Sequence, residues 1–472
     1  MQWAMRKTSD KINKINDNPL GKVDFVFLSI ILFLFFVLCM YTDLIDTYLH
    51  SMGVIDAIFD GNFFEAYDYA TKLGLEWRDN ASWAIYLFPI YLIMGLWNLP
   101  VWCLHKFFAV SYFHPLCLLW AKGLLLPFSI GSLYFFNGIL KDFRIGIEKR
   151  RLAIFLFCSS LWFVLPVFAV AQYDILGVFF ILWGFREYLK NEKVTFKTVL
   201  IFSLAVMMKM FAVFLAVPLI FLKEKRIFSS LAKIMLMFLP TGLCSVLFSG
   251  SYAYAEGTYW FNNLMIDRLF GTVWQGGNFS FPVFVVLWIG ICIYAYWLKV
   301  TETEQIFKYA VWLGCAVWLS FFCFVHIHPY WVVLCVPFMV MLIIQNPQNS
   351  KINLILETFV CGFSSLFYIV AFNWVYLCNS NMNYLLFNLF GIPLSEERRF
   401  ADYWNAYIGE KLLPVVYAGF IACSAAVLLI NRPDKSHRAL DETIKVDHGM
   451  LYLRILILAV YILLDILLFL WR

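Results

Sequence analysis

The chain has 472 residues, of which 62% are hydrophobic and 14% charged, with a formal net charge of +5 and a mean hydropathy of +0.77. A soluble domain carries about 25% charge to keep its surface wetted, so this composition excludes a water-exposed globular fold. The small net charge is spread over short loops. It reads as the positive-inside bias of a membrane protein rather than as a nucleic-acid surface.

The first basic stretch, 5–22, precedes an apolar run at 23–41 that lacks a small-residue cleavage site. It is expected to be an uncleaved first span with a cytoplasmic N-terminus. A spanning helix needs about 20 apolar residues. Runs that meet or approach this follow at 83–97, 99–117, 118–140, 152–171, 175–188, 196–208, 210–222 and 231–248. They continue at 281–298, 309–325, 331–344, 352–376, 412–430 and 451–470. The expected fold class is all-α: a polytopic transmembrane bundle of about 13 to 15 spans.

Lys and Arg cluster at residues 6–22, 141–151, 190–197, 223–226 and 432–438. Placing all five clusters in the cytoplasm requires an even number of spans between neighbours. That condition holds if 98–140 carries two spans and 196–222 carries two short ones. The segments 42–82, 171–174, 249–280, 326–330 and 377–411, with the residues near 209, are then external. Within the first of these, Asp43–Tyr69 is expected to form amphipathic helix lying at the interface.

Apart from Lys122, the polar residues that stand out fall on these outer segments. Asp43 and Asp46 follow the first span. Either solvates a helix end or acts as a general base that takes an acceptor's proton. Gln172-Tyr173-Asp174 occupies a short connection, where Gln and Asp suit sugar hydroxyls as well as a surface turn. Lys209 interrupts an apolar stretch from 196 to 222. It sits in mid-membrane if that stretch is one span, and points into an outer cavity, with a lipid phosphate as counter-ion, if it is two. Lys122 is a second, weaker case. His326 and His328 form an H-x-H pair without a third metal ligand, so they suit phosphate or sugar contact, or interfacial anchoring with Trp331. Arg268, Arg398 and Arg399 lie in outer segments, where a guanidinium suits phosphate; Glu396 and Glu397 offer ordinary salt-bridge partners. The twelve cysteines lie mostly in apolar runs and read as packing residues. No nucleotide-binding motif is present.

The ordered set formed by Asp43 or Asp46, Tyr86-x-x-Pro89, Lys122, Gln172-Tyr173-Asp174, Lys209 with Pro218, and His328-Pro329-Tyr330-Trp331 with Pro337 resembles the GT-C superfamily of polyprenol-phosphate-sugar-dependent glycosyltransferases, including bacterial relatives of mannosyltransferases. The resemblance implies a GT-C-like catalytic module over residues 1–345; residues 346–472, which carry no landmark of the family, are expected from their apolar runs to form C-terminal transmembrane helices. It implies an inverting transfer at the outer face, from a polyprenyl-phosphate sugar to a glycan, glycolipid or protein acceptor. Asp43 or Asp46 would be the base. Lys209, with His326, His328, Arg268 and Lys122, would hold the donor phosphate, and Gln172, Tyr173, Asp174 and Trp331 would line the sugar or acceptor pocket. No cofactor is implied, and a divalent cation is possible without being indicated. A lipid-linked oligosaccharide flippase or a polysaccharide polymerase is the alternative; a flippase should show internal repeats.

Overall fold

In the computed structural model, the described residues are 20–77, 83–276, 279–382, 390–391, 397–433, 444 and 448–470. The basic residues Arg6, Lys7, Lys11, Lys14, Lys435 and Arg438, together with Glu396, lie outside them. The helices are α1 (Lys22–Leu38), α2 (Thr42–Phe59), α3 (Ala66–Trp77), α4 (Phe88–Phe108) and α5 (Pro115–Asp142). Next come α6 (Ile147–Ser159), α7 (Leu161–Ala169), α8 (Asp174–Lys190), α9 (Phe196–Met208), α10 (Ala212–Lys223), α11 (Ile227–Leu247) and α12 (Tyr252–Leu269). A two-stranded hairpin, β1 (Val273–Gly276) and β2 (Phe279–Pro282), leads into α13 (Val283–Trp297), α14 (Thr303–Phe324) and α15 (Pro329–Gln345). The chain closes with α16 (Ser350–Ala371), α17 (Phe400–Tyr407), α18 (Leu413–Ile430) and α19 (His448–Leu470).

Among the described residues, seven helices are long and apolar enough to cross a membrane, or nine if the bent pairs α1–α2 and α6–α7 each count as one span. The protein is therefore a multi-pass integral membrane protein. Contacts between loops define the two ends of the bundle. The Arg186 guanidinium donates to the Asp142 carboxylate at 2.8 and 3.1 Å, joining the end of α8 to the end of α5. Val194 N–H donates to Glu224 Oε1 at 3.0 Å, Lys225 to the carbonyls of Ala295 and Tyr296, and Arg432 lies over Tyr294. The basic stretches 141–151, 190–197 and 223–226, with Arg432, thus share one end, as the parity argument requires.

The region 83–140 departs from its expected division. It forms one continuous helix α4, which runs through Pro100, and one long helix α5, with the break at 109–114. Although α4 is long enough to span, it does not carry the chain across. It lies along α2 instead. Tyr91 meets His50 edge-on at 5.8 Å, Trp102 Nε1 donates to Asp56 at 2.9 Å, and Lys106 pairs with Asp56 at 2.7 Å. Because α2 is bent 64° from α1, α2, α3 and α4 form a layer across the end opposite the basic loops.

The expected surface-lying amphipathic stretch Asp43–Tyr69 is helical, but α2 is enclosed on most sides. At Gly53 an added Cβ would fall 2.6 Å from Ala70 Cα, so α2 and α3 cross with their backbones in contact. With α3 and α4 both seated on it, Thr47, His50 and Ser51 of α2 are buried, while Asp43, Asp46 and Asp56 are half-buried.

Lys122 corrects a second expectation. Its ammonium donates to the carbonyls of Phe35 (3.1 Å), Phe36 (2.8 Å), Cys39 and Phe168 (2.7 Å). These carbonyls lie at the ends of α1 and α7, where helix-end carbonyls run short of partners; that of Phe35 also accepts from the Cys39 N–H at 3.2 Å. A cation there also meets the negative end of each helix dipole. Lys122 is fully buried in this structural cap and is not placed to hold a phosphate.

Residues beyond 345 pack into the same bundle. The Arg454 guanidinium of α19 pairs with Glu357 of α16 and donates to Ser159 Oγ at 3.0 Å and the Leu156 carbonyl at 2.9 Å, both in α6. Trp162 Nε1 donates to Ser364 Oγ at 2.7 Å. Replacing Lys122 by Met should destabilise the detergent-solubilised protein by about 3 kcal/mol, because several buried acceptors lose their donor; differential scanning fluorimetry would register this as a lowered Tm. Gly53→Leu should be at least as damaging, since the clash is with backbone.

Candidate functional site

The two short helices α9 and α10 position the centre of the site. Val194, just before α9, bonds to Glu224, just after α10, so the pair forms a hairpin with both feet at the basic end and Lys209 at its apex. With 13 and 12 residues, each arm rises only about 20 Å, against about 30 Å for a bilayer core. The apex therefore stops short of the far surface. Gly177 permits the close approach of α8: a Cβ there would lie 3.1 Å from Lys209 Cβ.

Above this apex is a cleft of about 520 Å³. Asp43, Asp46, Thr47 and His50 enter it from the first two turns of α2. Their spacing of three, four and seven residues puts them on one helix face. Asp43 Oδ2 accepts hydrogen bonds from Gln172 Nε2 and from the Tyr330 hydroxyl, both at 2.8 Å. The carboxylate is thus held by groups from the 170–173 connection and from α15. Ala171, beside Gln172, has φ +62°, a left-handed conformation that costs a non-glycine residue about 1 kcal/mol. That strained turn aims Gln172 at Asp43.

Lys209 forms an ion pair with Asp174, the first residue of α8, and their side chains are 8% and 1% exposed. This is the two-helix alternative for the 196–222 stretch, but with a protein carboxylate rather than a lipid phosphate as counter-ion. Burial makes each charge dependent on the other. Asp174 also sits where a helix N-terminus favours an anion, and Lys209 where the end of α9 favours a cation. Four aromatic rings surround the ammonium: Tyr173 at 5.4 Å, Phe211 at 5.7 Å, Tyr330 at 5.9 Å and Trp331 at 5.1 Å.

Trp331 is shared by two cations, since the Arg268 guanidinium sits 5.6 Å from the same ring. Arg268, near the end of α12, has a buried Nη1 with no hydrogen-bond partner among the described residues. His328 lines the cleft, stacked on Tyr330 at 5.1 Å and edge-on to Trp331 at 5.4 Å. Burial, then the positive charges of Arg268, Lys209 and His326, push its pKa well below the usual histidine value, which favours the uncharged imidazole. A wall from beyond residue 345 completes this side: Phe372 and Trp374 reach His328, and Trp374 also meets Tyr41.

Of the residues singled out from sequence, Asp43, Asp46, Tyr173, Lys209, His328 and Trp331 line one cleft. Gln172 and Asp174 stand directly behind it, bonded to Asp43 and Lys209, and Arg268 flanks Trp331. His326 is not among the lining residues; it is exposed and set against Phe372. Arg399 pairs with neighbouring Glu397 at 2.5 Å, the ordinary salt bridge open to it from sequence. Sequence reasoning did not single out His50, Tyr254 or Trp260, which also line the cleft, nor the Tyr330 hydroxyl as a partner of Asp43. His50 was recoverable from its spacing to Asp43 and Asp46. Among the described residues, no group of three His, Cys, Asp or Glu side chains could hold a metal ion. The chain matches no protein-family model, no curated protein and no solved structure.

The Lys209–Asp174 pair can be tested by a double-mutant cycle. Lys209→Met and Asp174→Leu should each cost about 3–5 kcal/mol, because each strands a buried charge, while the double variant should cost much less. Denaturation in detergent reads all three.

Proposed function

We propose that the chain is a membrane-embedded inverting glycosyltransferase of GT-C type, moving a sugar from a polyprenyl-phosphate donor to a glycan, glycolipid or protein acceptor. The observation that carries this reading is the meeting of Asp43, Gln172, Tyr330, Lys209–Asp174 and Arg268 around one recessed cleft. With the basic loops in the cytoplasm, the N-terminus is cytoplasmic and the cleft opens on the outer face.

In this reading an acceptor hydroxyl attacks the anomeric carbon from the face opposite the phosphate. The new C–O bond forms as the bond to the phosphate oxygen breaks, and that electron pair leaves with the lipid phosphate. The acceptor's proton passes to the Asp43 carboxylate, as general-base catalysis requires. Gln172 and Tyr330 fix the orientation of that carboxylate. Asp46, one turn further along α2, lies on the same face and shapes the acceptor side.

The leaving phosphate gains charge, and a guanidinium suits it in geometry and permanence of charge. Arg268 supplies that contact at the rim, and Lys209 adds positive potential from below Trp331. Neutral His328 can donate one hydrogen bond to phosphate or sugar without adding charge.

Purified protein supplied with polyprenyl-phosphate sugars and an acceptor extract provides the test. Asp43→Asn should cut turnover by about 10³-fold while donor binding persists, and Asp46→Asn should act less than about tenfold. Arg268→Gln should weaken donor binding. Wild-type turnover by Asp43→Asn would remove it from the base role. A wild-type protein that neither binds nor consumes any polyprenyl-phosphate sugar would end the proposal.

A further inference from the structure

A second cavity, of about 470 Å³, opens at the basic end between α5, α8 and the start of α14. Its floor is apolar, formed by Ile139, Phe143 and Leu189, with Phe143 stacked on Phe307 of α14 at 4.0 Å. Its charged rim is uneven. Asp142 is committed to Arg186 through two hydrogen bonds, and Glu304 pairs with Lys308 at 2.8 Å. Arg144 and Lys190 also face the cavity, and neither side chain has an acidic partner among the described residues. Both acids at the rim are therefore answered, while two cations are not.

Two further features agree. Arg144 has φ +57°, an uncommon conformation for a residue with a Cβ, at the turn that sets its side chain beside α8. Thr303, the first residue of the 22-residue α14, brings the positive end of that helix to the same rim. From the floor, the outer face of α5 continues through Tyr134 and Ile130, which are 66% and 67% exposed.

We infer that this cavity is a binding site for a phosphate monoester or diester, with Arg144 and Lys190 as its ligating cations. An anionic phospholipid supplies the best-matched source: its headgroup takes the cations and its acyl chains follow the apolar face of α5. A soluble phosphate shares the headgroup chemistry without the chains. The site is separated from the cleft by the length of α8 and does not depend on what the cleft does.

The test uses the full chain in phosphatidylcholine nanodiscs, titrated with phosphatidylglycerol in one arm and inorganic pyrophosphate in the other. Thermal stability and retained ligand, by native mass spectrometry, are the readouts. Phosphatidylglycerol should raise Tm and be retained. Arg144→Gln/Lys190→Gln should lower its apparent affinity by about tenfold, and Lys190→Gln alone by less. Lys197→Gln, at the same end but paired with Glu187, should change nothing. A Tm in pure phosphatidylcholine equal to wild type establishes that the variants fold. A pyrophosphate response that the double variant loses would assign the site to a soluble phosphate. Equal loss in Lys197→Gln, or no difference between wild type and the double variant in either arm, would overturn the inference.

Discussion

A single buried ion pair organises the recessed end of this protein. Lys209 is the apex of a hairpin whose arms are too short to cross a bilayer, and Asp174 begins the neighbouring helix at matching depth. Neither charge would be tolerated alone among apolar helices, because removing one partner leaves the other desolvated and unanswered. Together they allow α8, α9 and α10 to end well inside the bundle. The hollow above them is the cleft, and its floor is set by helix length as much as by side-chain choice.

Around that pair, charge and aromatic surface alternate. Asp43 is held by Gln172 and Tyr330, and Lys209 and Arg268 both lie over the Trp331 ring. The parts come from α2, the 170–173 turn, the α9–α10 apex, α12 and α15, with Phe372 and Trp374 from past residue 345. Separate stretches of chain, none of which builds a site alone, converge at one end. A polar constellation built this way is positioned by the bundle itself rather than by a flexible loop.

The all-helical class and the end at which polar residues gather were legible from composition, run length and Lys/Arg placement, since these obey simple limits set by lipid thickness and charge. Asp43, Asp46, Lys209 and Trp331 stood out because acids, amines and indoles are conspicuous at the ends of apolar runs. Partnership was not legible. Lys122 and Lys209 look alike in sequence, as lone amines in apolar surroundings, yet one caps carbonyls of two broken helices and the other faces a cleft beside a carboxylate. Telling them apart requires knowing which distant backbone or carboxylate lies opposite. Helix α4 misled for a related reason: its length and apolarity suit a span, and only its contacts with α2 show it laid across the bundle's end.

The cap made by Lys122 carries a consequence for biogenesis. Its ammonium meets carbonyls from α1, synthesised long before it, and from Phe168 in α7, synthesised after it. Until α7 arrives, that amine lacks part of its coordination in a lipid setting where an unmatched charge is disfavoured. The cap is therefore complete only once the chain has emerged past residue 168, so Lys122 gains its full set of carbonyls after α7 is made.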